Sequence, residues 1–516
     1  MKSHLPPAIL FLAAFLLYSF TLLPDIGFWD GPYLISLAHR LELGISSYQH
    51  PLYLLLLRMA FFLPLGDIAV RANLVSALCA ALAVMQCFIL LRGAAVNTPW
   101  AVAGSAFLAA GNTFWWCATE AEVYTAAMWL MLLLLTLAQR YSHDPAPRRL
   151  LLPAFLLGLG TALHQNLVML APGMLALLCA KPVRRRLTIH GLLLAGAAAV
   201  TGLLFLGTLA GRQVTVSSFG TVLHELRGGY FADTVTARVA PSMWPELFMQ
   251  FLLLCILQIG IAPCLISLYG LLQRRGDGTV MLLTGIPFLL NLVFVINYPV
   301  EDRVFFYLPN FVILAVWTGM GFQGLAARWA KRRILVTLLA IAVMAGLAYR
   351  PMQYLRLAQR LEQAPAGMTP SGAASFFNRS SHVNARYILV PFKQGTRPAT
   401  LYRELMNYLP EGTMVVDEWL HGYPIMAHYY QHVLRLRTDL DIERWWYYLK
   451  SDEEKRWFVI RMADRIEQRR LFITTTEHPM DDFLERLQAV RPVRLEPFNG
   501  GWEVKPASEA RQPAVE

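Results

Sequence analysis

Charge is scarce in this 516-residue chain: Asp, Glu, Lys and Arg make up 15% of it, against 56% hydrophobic residues, and the mean hydropathy is +0.44. That balance excludes an ordinary soluble globule of this length, because too little polar surface is available to face water. Cysteine is sparse as well. All six, Cys79, Cys87, Cys117, Cys179, Cys255 and Cys264, fall in or at the ends of apolar segments, so no disulfide framework or paired-cysteine metal site is available. Glycine-rich phosphate loops and Walker motifs are missing, which excludes the usual nucleotide cradles. There is no basic helix and no zinc-finger spacing. The net charge of +11 therefore reads as loop charge beside anionic lipid, with no nucleic-acid partner. The first apolar run lacks a small-residue cleavage site after it and reads as an uncleaved anchor. No repeat of solenoid length occurs.

What fills the first two thirds is a series of long apolar runs. About 20 helical residues cross a hydrocarbon core of roughly 30 Å. On that scale candidate spans lie at 7–24, 69–91, 98–117, 121–139, 150–164, 166–180, 187–210, 244–272, 279–298, 304–324 and 334–349, roughly eleven transmembrane helices. Alternate loops are basic: Arg140, Arg148 and Arg149; Lys181, Arg184, Arg185 and Arg186; Arg274 and Arg275; Arg328, Lys331, Arg332 and Arg333. Basic loops stay cytoplasmic. Together with Lys2 this puts the N-terminus inside and Asp30, Glu120, Glu122, His224, Arg303 and everything after about Arg350 on the opposite face. A cysteine-free outer domain suits a bacterial periplasm, so the expected location is the bacterial inner membrane.

The chain divides into a membrane domain (1–350), a Pro/Gly/Ser-containing linker (351–381), a soluble α/β domain (382–506) and a polar tail (507–516). The first outer loop, 25–68, is too apolar for a solvated linker, and its segments 32–43 and 51–63 read as amphipathic helices lying at the membrane surface. A second outer loop, 211–243, is long enough for a lid or channel. In the soluble domain, strands are expected at 387–392, 413–418, 471–476 and 493–498, with helices near 399–408, 423–434, 452–468 and 480–489.

Acids at helix ends beside aromatic clusters need an explanation, because desolvating them costs several kcal/mol. Two such places share the outer face: Phe28-Trp29-Asp30, and Trp115-Trp116 followed by Glu120-Ala121-Glu122-Val123-Tyr124. Asp30 reads either as a helix cap or as a general base that takes a proton from an acceptor hydroxyl. Glu122 reads either as a first-turn acid or as the residue that orients the acceptor. Together the two could also bind a divalent ion, although no metal-ligand set supports one. Glu120, two residues from Glu122, would face another way on a helix. Arg303, in Glu301-Asp302-Arg303, can grip phosphate oxygens bidentately, or it can pair with its acidic neighbours. His50 and His164 are further binding candidates, each with a packing role as the alternative. Trp29 and Tyr124, which flank the acids, complete the candidate substrate-binding set.

Several phrases occur in an order that resembles a known family: Phe28-Trp29-Asp30, His50-Pro51-Leu52-Tyr53, Leu65-Gly66-Asp67-Ile68-Ala69 with Arg71 and Asn73-Leu74-Val75-Ser76-Ala77, Ala121-Glu122-Val123-Tyr124, Gly158-Leu159-Gly160 leading to His164, and Arg303 to Pro309. Leu409-Pro410-Glu411-Gly412-Thr413 and Arg437-Thr438-Asp439 extend the likeness into the soluble domain. The set is similar to the GT-C fold transmembrane glycosyltransferases related to protein O-mannosyltransferases. That resemblance implies a GT-C-like bundle, a polyprenyl-phosphate-linked sugar donor (mannose in the related enzymes) and a protein or glycan acceptor on the non-cytosolic face, with Asp30 and Glu122 as the catalytic acids. Family members commonly follow the aspartate with Ser-Gly-Glu, whereas this chain has Gly31-Pro32-Tyr33, so the second acid is missing. A transporter or lipid-linked glycan flippase would instead place its acids near mid-membrane. A third reading is a noncatalytic envelope assembly or polymer-handling protein whose external domain binds partners.

Overall fold

The computed structural model describes residues 5–43, 50–184, 186–209, 239–273, 278–298, 300, 302–363, 385–393, 398–418, 423–445, 449, 451–473, 480–498 and 501–507. The second outer loop up to 238, most of the linker and the tail from 508 lie outside these residues.

The bundle opens with α1 (Leu5–Phe20), followed by two short helices, α2 (Gly31–Arg40) and α3 (Pro51–Ala60). Proline stands in the first turn of both short helices, where its missing N–H would have no partner anyway. α4 (Ile68–Gly93) begins at Asp67, whose carboxylate accepts the Val70 N–H at 2.8 Å. α5 (Thr98–Ala110), α6 (Asn112–Ala118), α7 (Tyr124–His143) and α8 (Pro147–Gly160) complete the first half. α4 packs on α1, α5 and α7, which makes it the central post.

Among the described residues, five helical stretches are long and apolar enough to cross a membrane: Ile68–Gly93, Pro241–Ile259, Gly278–Ile296, Leu308–Arg328 and Ala330–Arg360. Shorter apolar helices include Leu5–Phe20, Gln165–Cys179 and Ile261–Leu272. Several continuous runs in the sequence are broken helices in space. The run 98–117 is divided at Gly111, and 244–272 is divided at Gly260, which adopts φ +94°. The run 304–324 is a short helix, Arg303–Phe306, followed by Leu308–Arg328. The final run, expected to end at 349, continues through Pro351 to Gln363.

Burial is inverted relative to a soluble protein. Leu193, Leu265, Leu289 and Ile341 lie exposed on the outside, while Ser267, Thr284, Thr318, Gln86 and Thr136 are buried. The buried polar atoms pair across helices, Ser267 with Thr318 at 2.6 Å and Gln86 with Thr136 at 2.8 Å, as polar groups in an apolar solvent must. α8 meets the helix Ile189–Leu209 so closely that a Cβ on Gly158 would stand 2.0 Å from the Ala199 carbonyl, the small-residue contact typical of membrane helices. The chain is a membrane protein.

The C-terminal domain holds a five-stranded sheet in the order β2-β1-β3-β5-β4, with β1 Met414–Glu418, β2 Asp441–Trp445, β3 Leu471–Ile473, β4 Val493–Phe498 and β5 Gly501–Pro506. β1 runs parallel to β2 and β3, and β5 runs antiparallel to β3 and β4. Trp445, Phe458, Met462 and Phe483 fill its core. The helix Asp452–Arg465 starts from a full capping box between Ser451 and Glu454, which satisfies two orphan amides. One expectation fails: 387–392 is not a strand. Its first part is the short helix Ala385–Leu389, and the segment lies against the membrane bundle, away from the sheet.

Candidate active site

The site is assembled where three loops meet over the end of α4. Asn73 of α4 holds two of them. Its amide group donates to the Leu23 carbonyl at 2.8 Å and the Asp25 carbonyl at 3.0 Å, and its oxygen accepts the Ala121 N–H at 2.8 Å. One helical turn on, the Ser76 hydroxyl accepts the Glu122 N–H at 3.1 Å and donates to the Glu122 carbonyl at 3.0 Å. It also meets the Tyr53 hydroxyl at 2.8 Å. The i, i+3 spacing of Asn73 and Ser76 places both on one face of α4, so the Asn-Leu-Val-Ser phrase is a bracket for the loop that carries Glu122.

Asp30 occupies the N-cap position of α2 but makes no capping hydrogen bond with its side chain. A Cβ on the next residue, Gly31, would stand 3.0 Å from the Ala121 carbonyl oxygen, so the backbones of the two acidic loops touch. Glu122 is buried. Burial first, and then the charges of Asp30, Glu120 and Asp302, push its carboxyl well above the usual carboxylate range. Asp302 thus brings a third loop, and a fourth acid, within electrostatic reach of Glu122. Among the described residues, no group of three or more His, Cys, Asp or Glu is arranged to hold a metal ion.

Around these acids runs a chain of aromatic rings. Phe305, from the helix Arg303–Phe306, stands 6.1 Å from Trp29, 4.8 Å from Trp116 and 5.5 Å from Tyr124. Tyr124 lies 5.5 Å from His164, which stacks on His50 at 5.4 Å. The partners assign the tautomers. His50 Nδ1 faces the Leu163 carbonyl at 2.9 Å and must donate, whereas His164 Nδ1 accepts the Asn166 N–H at 3.3 Å, which leaves its proton on Nε2. Burial lowers His50 to about 4, so its ring is neutral at pH 7. His50 also sits in the left-handed region at φ 48°, a conformation that a residue with a side chain holds only where its surroundings enforce it. Tyr124, His164, Asn166, Asn291 and Phe305 line a small, mostly apolar cleft. The Trp29 Nε1–H is buried without a partner among the described residues.

Of the residues expected from sequence, Asp30, Glu122, Tyr124, Trp29, His164 and His50 therefore fall into one connected region, with His50 one ring further out, behind His164. Arg303 shares the short helix with Phe305, and its Nε donates to the Tyr298 carbonyl at 3.2 Å. Tyr387 and Lys393 had no local signal, and Glu120, flagged beside the aromatic cluster, was expected to face away from Glu122. Glu120 precedes α7, so helical-face spacing does not apply to it. Its Oε2 accepts the Tyr387 hydroxyl at 2.5 Å, and burial raises its carboxyl to about 7 against the pull of Lys393 and Tyr387. Lys393 is buried, 3.9 Å above the Trp116 ring and 4.0 Å above the Tyr387 ring.

Residues 30–187 match the family model described as the Protein O-mannosyl-transferase TMEM260 N-terminal domain, a stretch that holds Asp30, His50, Glu122, Tyr124 and His164. The whole chain superposes on the crystal structure of ArnT from Cupriavidus metallidurans in the apo state, with a TM-score of 0.56 at 13% identity, over 96% of this chain and 97% of that one. The fold is GT-C-like. The likeness of this GT-C-like chain to protein O-mannosyltransferases covers the part that carries both acids. ArnT bound to undecaprenyl phosphate aligns over the same shares of the two chains at 12% identity, with a TM-score of 0.49. No curated protein sequence matches the chain.

Proposed function

We propose that this GT-C-like protein transfers a sugar, mannose being the first candidate, from a polyprenyl-phosphate donor to a hydroxyl of a protein or glycan acceptor, with inversion. Asp30 takes the acceptor proton. The acceptor oxygen forms its bond to the anomeric carbon as the bond from that carbon to the phosphate oxygen breaks, and the electron pair leaves on the polyprenyl phosphate. The leaving phosphate needs donors that do not need to be neutralised first. Arg303 supplies charge. Neutral His164, with its proton on Nε2, and His50 behind it supply orientation, and the Trp29 indole N–H, without a partner among the described residues, is available to an oxygen of the substrate.

The two acids divide the work because their surroundings differ. Burial and the neighbouring acids favour the protonated form of Glu122, in which it donates a hydrogen bond to the acceptor or a sugar hydroxyl, while Asp30 acts as the base. Asp302 stands in electrostatically for the second acid that the Gly31-Pro32-Tyr33 phrase lacks. The donor's first isoprene units lie in the apolar cleft beside Tyr124 and Phe305. The basic loops support a site and C-terminal domain on the non-cytosolic side, the periplasm of a bacterial cell.

The observation that carries the reading is the contact of the Asp30 and Glu122 loops at Gly31 and Ala121, beside a mostly apolar cleft lined by Tyr124, His164 and Phe305. Purified protein in lipid nanodiscs, given polyprenyl-phosphate hexoses or nucleotide hexoses together with peptide and glycan acceptors, tests it. Transfer from the lipid donor alone is expected. Transfer from the nucleotide sugar, or none from any lipid donor, contradicts it.

A further inference from the structure

The chain returns to the site after its last membrane helix. The Tyr387 hydroxyl accepts the Phe28 N–H at 2.9 Å and donates to Glu120 Oε2 at 2.5 Å. Phe28 is two residues ahead of Asp30, and Glu120 is two residues ahead of Glu122, so one oxygen bridges the loops that carry both acids. The fit leaves no slack: a Cβ on Gly27 would stand 2.6 Å from Glu120 Oε2 and 2.9 Å from the Tyr387 hydroxyl.

The Tyr387 ring is itself fixed. The Trp116 indole N–H donates to the Tyr387 carbonyl at 2.9 Å, and so does Lys393 Nζ at 2.5 Å. Lys393 Nζ lies over both rings, a cation–π arrangement that strengthens when desolvated. The rest of the segment is pinned by the bonds Lys393 N–H to the Thr21 carbonyl at 2.9 Å, Thr119 Oγ1 to the Pro391 carbonyl at 3.1 Å and Asn112 Nδ2 to the Leu389 carbonyl at 3.2 Å. These partners come from the loop after α1, from α6 and from the loop before α7, which are the walls around Asp30.

The geometry points to Tyr387 as a positioning residue: residues 385–393 form a wedge that holds the Asp30 loop and the Glu122 loop in register, so the C-terminal region completes the site. The catalytic consequence rests on the transferase reading; the bridge does not.

The test uses the full chain in nanodiscs with Tyr387→Phe, which keeps the ring on Trp116 and Lys393 and removes only the oxygen. Hydrogen exchange of peptides covering Phe28 is expected to accelerate about tenfold, with the transmembrane helices unchanged. With a polyprenyl-phosphate hexose, kcat is expected to fall at least about tenfold while KM stays within about twofold, the split that a lost transition-state alignment gives. Tyr387→Leu, which also removes the ring, is expected to lower the thermal midpoint as well. Unchanged exchange at Phe28 overturns the bridge, whatever the activity. Faster exchange with wild-type kcat overturns the positioning role. Faster exchange in a protein whose wild type transfers nothing supports the bridge and sinks the transferase reading instead.

Discussion

Gly31 lies against Ala121, so close that a Cβ at position 31 would stand 3.0 Å from the Ala121 carbonyl oxygen. This contact sets Asp30 beside Glu122, and it gives a physical reason why glycine follows the aspartate here. Gly31→Val should force the two loops apart, with overpacking worth about 1 to 3 kcal/mol. A lower thermal midpoint together with a loss of transfer would show it; wild-type activity in the valine variant would mean that the loops do not need to touch.

Asn73 is a second place where the two loops depend on one side chain. Asn73→Ala leaves two carbonyls and one buried N–H without their partner, and each such group costs about 1 to 3 kcal/mol. The expected outcome is a clear drop in thermal midpoint, with transfer reduced even well below that temperature. Ser76→Ala should act in the same direction on Glu122.

The ties between bundle and C-terminal domain should differ in strength. Arg403 pairs with Asp25; the arginine side chain is 54% exposed and the aspartate 16%, and a pair open to water on one side is worth about 1 kcal/mol or less. Arg403→Ala is therefore expected to leave the thermal midpoint nearly unchanged, whereas loss of the Tyr387 ring should not. Scanning calorimetry of both variants in the same nanodiscs compares them directly.

Stability should pass through a minimum near neutral pH on account of Glu120 and Lys393. Folded Glu120 titrates at about 7, against about 4.3 for a free glutamate. Between those values the folded state holds a proton that the unfolded state has lost, so stability falls as pH rises across that window. Folded Lys393 also titrates at about 7, against about 10.4 for a free lysine. Above 7 the unfolded state holds the extra proton, so this contribution to stability returns as pH rises. Thermal midpoints of wild type and of Glu120→Gln/Lys393→Met, taken from pH 5 to 10, check it: the dip should flatten in the double variant.

How much of this was legible in the sequence depends on whether the signal is local. The membrane class, the two short helices ahead of α4 and the phrases that carry Asp30 and Glu122 follow from apolar runs and from short phrases whose neighbours in sequence are also neighbours in space. The Asn73 and Ser76 bracket was visible as a phrase, but its purpose needed the fold. Tyr387 and Lys393 were missed because their partners lie more than 250 positions away, and because an apolar stretch such as 387–392 has the same composition whether it joins a sheet or packs into a bundle. The strand Asp441–Trp445 was missed for the opposite reason: its charged residues hide its place at the edge of the sheet, where Asp441 and Glu443 are held by Arg465. The break at Gly260 is marked only by Gln258 and Pro263 within a long apolar run, too little to divide the run in sequence.

The most direct measurement compares Asp30→Asn with Glu122→Gln in transfer from a polyprenyl-phosphate hexose. A lost general base should reduce kcat by about 10² to 10⁴. An amide in place of a carboxyl that keeps its proton still donates, so Glu122→Gln is expected to retain most activity while Glu122→Ala does not. Equal transfer by wild type and Asp30→Asn, or a greater loss in Glu122→Gln than in Asp30→Asn, would contradict the assignment of Asp30 as the base.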